Sequence, residues 1–141
     1  MNDVYAIEQH VHIEASPANV WSVLVTPKAI QEWLNVHVVS DWRVDSPIEF
    51  NFKYEGKPFN DKGKINAFSP NRRFAYSYWS KFSGLPDHPE NYSEITFSII
   101  PADHGVTLSL AHTKIATKTM YEHSQVNWRE TLAVIKKIAE R

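Results

Sequence analysis

The chain ends in the segment TMYEHSQVNWRETLAVIKKIAER, residues 119–141, and this stretch determines which fold the rest can form. Apolar side chains recur at spacings of four, three and four, which places them on one stripe of a helix: Trp128, Leu132, Ile135 and Ala139. Val134 and Ile138 widen this stripe. Thr119 and Glu122 have capping-box spacing, so the helix is predicted to begin after Thr119. Since an isolated helix of this length is marginal in water, its stripe must pack on another element.

Most of the chain before this helix alternates between apolar and polar residues, which is typical of half-buried β-strands. Strands are predicted at residues 4–14, 36–44, 48–55, 59–68, 73–79, 95–99 and 106–112. Two short helices, opened by Ser16-Pro17 and Thr26-Pro27, separate the first two strands. Short turns between consecutive strands favour an antiparallel sheet, so we predict an α+β fold in which the final helix packs on that sheet.

Length and composition narrow the class of protein. The 141 residues fit a single domain spanning 1–141. The sequence has no cysteine, which excludes disulfides, thiolate metal sites and cysteine nucleophiles. We predict a cytoplasmic location, with which the absence of cysteine is compatible. No apolar run approaches the roughly 20 residues of a membrane span. Met1-Asn2-Asp3 lacks the basic and apolar regions of a signal peptide.

The net charge of −1 is too balanced for a protein that binds nucleic acid or a membrane surface through a basic field. Aromatic residues are abundant instead, with five Trp, six Tyr and seven Phe. A domain of this size with so many rings has either a bulky core or a ring-lined pocket.

Several short motifs, none specific alone, occur in a characteristic order along the chain. They are Ala15-Ser16-Pro17 with Val20-Trp21, Thr26-Pro27 with Trp33, Gly63, Ser69-Pro70-Asn71, Glu94-Ile95-Thr96-Phe97, His104-Gly105-Val106, Leu110-Ala111-His112-Thr113, and Trp128 with Leu132. In this order and spacing the chain resembles the activator of heat-shock-protein-90 ATPase homologue family, within the SRPBCC or START-like superfamily. The resemblance covers almost the whole chain. The family usually has a Gly-Gly pair where this chain has Asp45-Ser46.

The resemblance implies a helix-grip fold, in which a curved seven-stranded antiparallel sheet wraps around the C-terminal helix and leaves a cavity between them. In the superfamily this cavity often holds lipids, sterols, polyketides or other apolar molecules. The eukaryotic co-chaperone carries a separate N-terminal domain before this one. We expect that 141 residues leave no room for that second domain, which weakens the inference that this chain activates a chaperone as the co-chaperone does.

An aromatic-lined cavity is the main candidate site. We predict that inward-facing residues line it: Trp33, Trp42, Phe50, Phe52, Tyr76, Tyr78, His112 and Trp128. Tyr and Trp combine an apolar body with one polar group, which suits amphipathic ligands. The alternative is that these rings fill a solid core, and composition alone favours that alternative.

His112 lies in phase with apolar residues on the last predicted strand. A lone histidine on an apolar face is more often a hydrogen-bonded core residue than a ligand contact, and both interpretations stay open. An unperturbed pKa near 6.5 would let its surroundings change its charge.

Other ionisable groups give weaker signals. Four of them share the polar face of the first strand: Glu8, His10, His12 and Glu14. Imidazole and carboxylate both bind zinc, but this face is the one predicted to point to solvent, so we predict no metal site. Asp41 and Arg43, and the pair Arg72-Arg73, are interpreted as solvated charges.

Three functions compete at this point. The favoured one is non-enzymatic binding of a small apolar or aromatic molecule, with no cofactor. The second is a cyclase, aromatase or hydrolase, for which His112 is the named candidate. The third is a chaperone-interaction module that uses an exterior surface such as the loop at residues 80–91. An exposed edge strand would allow a homodimer as well as a monomer.

Overall fold

A seven-stranded antiparallel sheet dominates the computed structural model, which describes residues 5–141. Its strands are β1 (Ile7–Ile13), β2 (His37–Ser40), β3 (Pro47–Tyr54), β4 (Lys57–Ser69), β5 (Arg73–Tyr78), β6 (Ser93–Ala102) and β7 (Gly105–Thr113). The strand order is β1-β7-β6-β5-β4-β3-β2. Because β2 to β7 follow one another as a meander, only β1 joins the sheet from a distance, and it pairs with β7. Residue 4, where the first strand was predicted to start, lies outside the described residues.

Three α-helices cover one face of the sheet: α1 (Pro17–Val25), α2 (Pro27–Leu34) and α3 (Lys118–Ala139). The Ser16 hydroxyl caps α1 by accepting from the Asn19 amide at 3.1 Å, and Pro17 occupies the first turn, where a missing N–H costs nothing. The predicted α+β helix-grip architecture, with two short helices between β1 and β2, is confirmed. No helix within residues 5–141 is long and apolar enough to cross a membrane. The single-domain organisation and the cytoplasmic location stay predictions.

Helix α3 begins two residues earlier than predicted. The cap is Thr117, whose hydroxyl accepts from the Met120 amide at 3.2 Å, while Thr119 lies inside the helix. Both threonines have a hydroxyl that can cap, but Thr117 has the extended backbone that a cap requires. The predicted stripe is buried at Trp128, Leu132, Ile135 and Ala139. Val134 is instead 38% exposed, so it does not widen the stripe as predicted, whereas Ile138 is half-buried.

Polar contacts fasten α3 to the N-terminal part of the chain at both ends. Near its start, Gln9 Nε2 donates to the Gln125 carbonyl at 3.0 Å. Near its end, Asn19 Nδ2 donates to the Ala139 carbonyl at 2.6 Å. These contacts join residues more than a hundred positions apart, so they fix where α3 lies on β1 and α1.

The predicted strand at residues 36–44 is too long. Strand β2 ends at Ser40, because Trp42 has a positive φ of 57°, which no strand residue adopts. Asp45 also has a positive φ, of 73°, a backbone conformation that favours glycine over other residues. Ser46 is buried and its hydroxyl donates to the Arg43 carbonyl at 2.6 Å. Hydrogen bonds of the Ser46 side chain therefore stabilise this turn, although it contains no glycine.

Gly63 lets β4 and β5 approach each other closely. A Cβ at this position would lie 1.6 Å from the Ser77 carbonyl oxygen, so no other residue fits without a backbone shift. The pairing of β4 with β5 shifts register just beyond, between Ile65 and Ala67. A register irregularity of this kind bends a strand locally, and Asp61, two residues before Gly63, lines the pocket described below.

Aromatic rings close one end of the space between the sheet and the helices. We call the cluster of Trp21, Trp42, Phe68 and Phe74 the closed end. Its ring centroids lie 5.0 Å apart for Trp21 and Phe68, and 6.1 Å apart for Trp42 and Phe74. Phe74 then stacks on Phe97 at 6.5 Å in the middle of the core. At this end the rings pack on one another and against the core. Phe74 is buried, and Trp21, Trp42 and Phe68 are half-buried.

Candidate functional site

A pocket of about 410 Å³ lies at the opposite end, between α3 and the concave face of the sheet. Strands β3 to β7 supply its walls, and the end of α2 and the middle of α3 complete it. The lining residues are Leu34, Asn35, Val36, Phe50, Phe52, Lys53, Tyr54, Asp61, Tyr76, Tyr78, Ile95, His112, Ser124, Asn127, Trp128 and Thr131. We call this region the pocket end.

The pocket has a solvent-exposed mouth and a buried floor. Lys53 and Asn127 are exposed at the mouth. Phe50, Tyr76 and His112 are buried at the floor. A molecule in this space would therefore lose water progressively as it moves inward, which is the usual shape of a small-molecule site.

Six of the eight predicted lining residues surround this pocket: Phe50, Phe52, Tyr76, Tyr78, His112 and Trp128. The two others lie elsewhere. Trp33 is buried in the core, where its Nε1 donates to the Val23 carbonyl at 2.9 Å, and it packs on Phe97. Trp42 belongs to the closed end, because the positive φ described above takes it out of the strand phase on which the prediction depended.

His112 is held by hydrogen bonds on both ring nitrogens. Trp128 Nε1 donates to His112 Nδ1 at 3.0 Å, which makes Nδ1 an acceptor and places the ring proton on Nε2. His112 Nε2 then donates to Ser93 Oγ at 2.9 Å, and Ser93 Oγ donates to the Tyr78 carbonyl at 3.4 Å. The directions of these bonds are consistent only with a neutral imidazole.

Burial also disfavours the charged imidazolium, and it lowers the pKa of His112 to about 4. The imidazole is therefore neutral at pH 7, with neither nitrogen free. This arrangement fits a hydrogen-bonded core residue that also forms part of the pocket wall. It gives His112 no free nitrogen for the proton transfer that the enzyme alternative would require.

Among residues 5–141, Asp61 is the one acidic residue that lines the pocket, and it is only 6% exposed. The Tyr78 hydroxyl donates a short hydrogen bond to Asp61 Oδ2. Asp61 Oδ1 is buried and has no hydrogen-bond partner within residues 5–141. The Ser80 hydroxyl lies near the carboxyl and favours its charged form, but it is not in hydrogen-bonding geometry with Oδ1.

Burial raises the pKa of Asp61 above its ordinary value, although the Tyr78 and Ser80 hydroxyls oppose this effect. It also raises the pKa of Tyr76, which is 2% exposed, and that of Tyr78. Both phenols are therefore protonated at neutral pH. Among the described residues, the Tyr76 hydroxyl has no hydrogen-bond partner.

Asp61 and Ser93 were not predicted as site residues, although the sequence contains a signal for each. Asp61 is in phase with Phe59 and Ile65 on β4, and Ser93 is in phase with Ile95 on β6. A polar residue at an inward-facing position of a strand is informative, because burying it without a partner is unfavourable. Apolar and polar residues alternate only weakly in residues 59–68, so the sequence did not show that Asp61 faces inward.

The ionisable groups interpreted as solvated are exposed. Glu8, His10 and His12 on β1 and Glu14 just after it point to solvent. Within residues 5–141, no group of three or more His, Cys, Asp or Glu side chains is placed to hold a metal ion. Asp41 and Arg43 lie 3.9 Å apart with both side chains exposed. Arg72 and Arg73 border a separate surface depression with Ser69 and Ser98.

A curved antiparallel sheet around a C-terminal helix, with a partly apolar pocket between them, defines the helix-grip class of the SRPBCC or START-like superfamily. The sequence match agrees with this class. Residues 14–140 match the family described as activator of Hsp90 ATPase homolog 1-like protein, and the chain belongs to that family.

Several solved structures share the fold. A Cytophaga hutchinsonii protein, ChR145, is 33% identical, with a TM-score of 0.83 over 97% of this chain and 94% of its own. The Aha1 dimer from Colwellia psychrerythraea is 21% identical, with a TM-score of 0.76 over 96% of each chain. CalU16 from Micromonospora echinospora is 23% identical, with a TM-score of 0.70 over 95% of this chain and 74% of its own. A comparison with curated proteins found no match.

Proposed function

We propose that this protein binds a small apolar or aromatic molecule in the pocket between α3 and the sheet, without cofactor and without covalent chemistry. The observation that carries the proposal is the pocket of about 410 Å³, whose wall combines aromatic rings with a few polar groups at the floor. This volume and lining are those of small-molecule sites in general. The family supports a ligand-binding fold, but a fold does not define a ligand.

Native mass spectrometry of the purified protein tests this proposal, with a second spectrum recorded under denaturing conditions. We expect a bound mass that is lost on denaturation, or uptake from a panel of fatty acids, sterols and flavonoids. A bare polypeptide that takes up no member of the panel would contradict the proposal. The same spectra report whether the protein is a monomer or a homodimer.

A matched pair of variants on α3 shows whether the bound mass occupies this pocket. Thr131 lines the pocket, so Thr131→Trp fills part of it and should abolish binding. Glu130 is the adjacent exposed residue, so Glu130→Trp adds the same ring outside the pocket and should leave binding unchanged. Equal binding by both variants would place the ligand elsewhere.

A second candidate function is interaction with a chaperone, and one surface feature favours it. Four rings beside the pocket mouth pack together: Phe52, Tyr54, Phe59 and Phe82. Phe82 is 54% exposed and lies in the predicted loop at residues 80–91, where a short 3₁₀ turn (Lys81–Ser83) presents it. Exposed apolar groups of this kind mark interaction surfaces.

The substitution Phe82→Ser tests this candidate at a residue that packs beside the pocket mouth but is not itself part of the pocket lining. If the surface serves a chaperone, the wild-type protein stimulates the ATPase of Hsp90 from the same cell, and the variant does not. Ligand uptake should be the same for both proteins, because Phe82 does not line the pocket. Absence of stimulation by the wild-type protein would argue against this function.

A further inference from the structure

The buried carboxyl of Asp61 is the most unusual group at the pocket floor. Strand β4 places it on the concave face of the sheet, opposite Phe50 in the pairing of β3 with β4. It lines the pocket and is 6% exposed. Natural proteins rarely bury a carboxyl group unless something pairs with it.

The other polar groups at the floor are already satisfied. Both nitrogens of His112 are hydrogen-bonded, and the Ser93 hydroxyl both accepts from His112 and donates to the Tyr78 carbonyl. The Tyr78 hydroxyl donates to Asp61 Oδ2. Two polar atoms at the floor have no hydrogen-bond partner among the described residues, namely Asp61 Oδ1 and the Tyr76 hydroxyl.

No cation of residues 5–141 forms an ion pair with Asp61. Lys53 lines the pocket, but it lies at the exposed mouth. Ser80 has the remaining hydroxyl near the carboxyl, and it makes no hydrogen bond to Asp61 Oδ1, so this atom has no donor among the described residues. A molecule that enters the pocket is the remaining source of one.

We infer that Asp61 determines which ligands this pocket accepts, an inference that rests on the proposed function. The ligand is an aromatic molecule with an O–H or N–H group that donates to Asp61 Oδ1. The rings around the floor fit such a molecule. Phe50 lies 5.4 Å from Tyr76 and 5.7 Å from Tyr78 between ring centroids, so a flat apolar body meets aromatic walls.

Selectivity follows from the cost of leaving a buried acceptor unpaired. An analogue without the donor would cover Asp61 with apolar surface and bring no hydrogen bond. Sites built to bond a hydroxyl reject such analogues more strongly than apolar pockets reject a change in size. A hydroxyl on the ligand could also accept from the Tyr76 phenol, whereas an apolar analogue uses neither group.

Three probes with one ring system test the inference by calorimetry at pH 7. They are 2-naphthol, which has a donor, 2-methoxynaphthalene, in which the donor is blocked, and naphthalene, which has no polar group. We expect 2-naphthol to bind the wild-type protein roughly tenfold or more tightly than either of the others. This comparison needs no variant, so it does not depend on whether a mutant folds.

Two substitutions then assign the preference to one carboxyl. Asp61→Asn keeps the shape but replaces one oxygen with an N–H donor, so the preference for 2-naphthol should disappear. Asp87→Asn is the matched control, because Asp87 also accepts from a tyrosine, Tyr92 at 2.5 Å, but does not line this pocket. The control variant should keep the full preference.

The outcomes separate this inference from the proposed function. Equal binding of all three probes to the wild-type protein, or an unchanged preference in Asp61→Asn, would overturn the role of Asp61 and leave ligand binding intact. No binding of any probe up to its solubility limit would contradict the proposed function, and this inference with it.

Discussion

The two ends of this molecule have similar aromatic content but different packing. At the closed end, Trp21, Trp42, Phe68 and Phe74 pack on one another. At the pocket end, Phe50, Tyr76, Tyr78 and Trp128 surround a space of about 410 Å³. Two neighbouring strands join the two ends. Strand β5 starts beside the closed end at Phe74 and reaches the pocket at Tyr76 and Tyr78, and β4 runs from Asp61 at the pocket to Phe68 at the closed end.

Polar groups account for the difference. The rings of the closed end carry no ionisable group, so they pack without regard to hydrogen bonds. The pocket end also holds Asp61 and His112, which accept hydrogen bonds from the Tyr78 hydroxyl and the Trp128 indole and so orient these two rings, while Ser93 holds His112. Rings fixed by hydrogen bonds cannot collapse freely into the remaining space. The aromatic content is therefore compatible with both a solid core and a pocket, and the position of polar residues decides between them.

The largest expected effect comes from removing one ring at each end. Phe74 and Phe50 are equally buried, at 2% and 3% exposure, so burial alone predicts equal losses of stability. We expect Phe74→Ala to lower the free energy of unfolding by about 4 kcal/mol. Phe50→Ala should cost only about 2 kcal/mol, since Phe50 borders empty space and has fewer contacts to lose. Urea denaturation of both variants measures the difference, and equal losses would show that both ends are equally packed.

The pH dependence of stability should originate at the pocket end. The pKa of His112 is about 4 in the folded protein against 6.5 as its ordinary value, so between these pH values only the unfolded chain binds the proton. The stabilisation is therefore present above pH 6.5 and is lost as the pH falls towards 4. The total loss amounts to about 3 kcal/mol.

Urea denaturation at several pH values between 7 and 4 measures this loss. The variant His112→Gln should be less dependent on pH over the same range. Phe74→Leu at the closed end should keep the wild-type dependence, because it changes no titrating group. A wild-type dependence that survives in His112→Gln would assign the effect to other residues.

Asp61 should also make stability depend on pH, but the effect should be smaller than that of His112 and opposite in sign. Since its pKa is raised, the folded state favours the protonated carboxyl, and stability decreases as the pH rises through that pKa. Asp61→Asn removes the charge, so it should stabilise the protein by about 1 kcal/mol at pH 8. The gain should vanish at pH 3, where the carboxyl is protonated in both states.

Thermal unfolding of the wild-type and Asp61→Asn proteins at both pH values checks this expectation. Asp87→Asn again provides the control, because hydrogen bonds from Lys62 and Tyr92 lower the pKa of Asp87, and its replacement should bring no gain. A loss of stability in Asp61→Asn at pH 8 would mean that the carboxylate stabilises the fold. A residue that is retained although it reduces stability is typical of a functional site.

The fold was predictable from the sequence because its signals are periodic. The apolar stripe of α3 and the alternation in β1, β3, β6 and β7 arise from burial of one face, which repeats along each element. The errors occurred where local backbone geometry overrides the pattern. Trp42 keeps strand phase in the sequence but has a positive φ, and Thr117 caps α3 although Thr119 has the capping-box partner.

The site was predictable only in part. Aromatic residues in strand phase identified four of the lining residues, namely Phe50, Phe52, Tyr76 and Tyr78, since inward-facing positions follow from periodicity. Trp33 shows the limit of this reasoning, because periodicity says that a residue is buried but not which part of the core it occupies. Predicting Asp61 as a site residue would have required the inward-facing phase of β4. That its Oδ1 has no partner depends on distances between strands, which no single sequence reveals.

The indole N–H groups at the two ends provide the most direct test of whether the pocket end takes up a small aromatic molecule. Trp128 Nε1–H lies at the pocket wall, while the side chains of Trp21 and Trp42 lie at the closed end. In ¹H–¹⁵N spectra recorded during titration with 2-naphthol, we expect the Trp128 indole signal to shift and saturate, and the Trp21 and Trp42 signals to stay in place. Unchanged signals throughout, or equal shifts at both ends, would contradict the distinction between a closed end and a binding pocket.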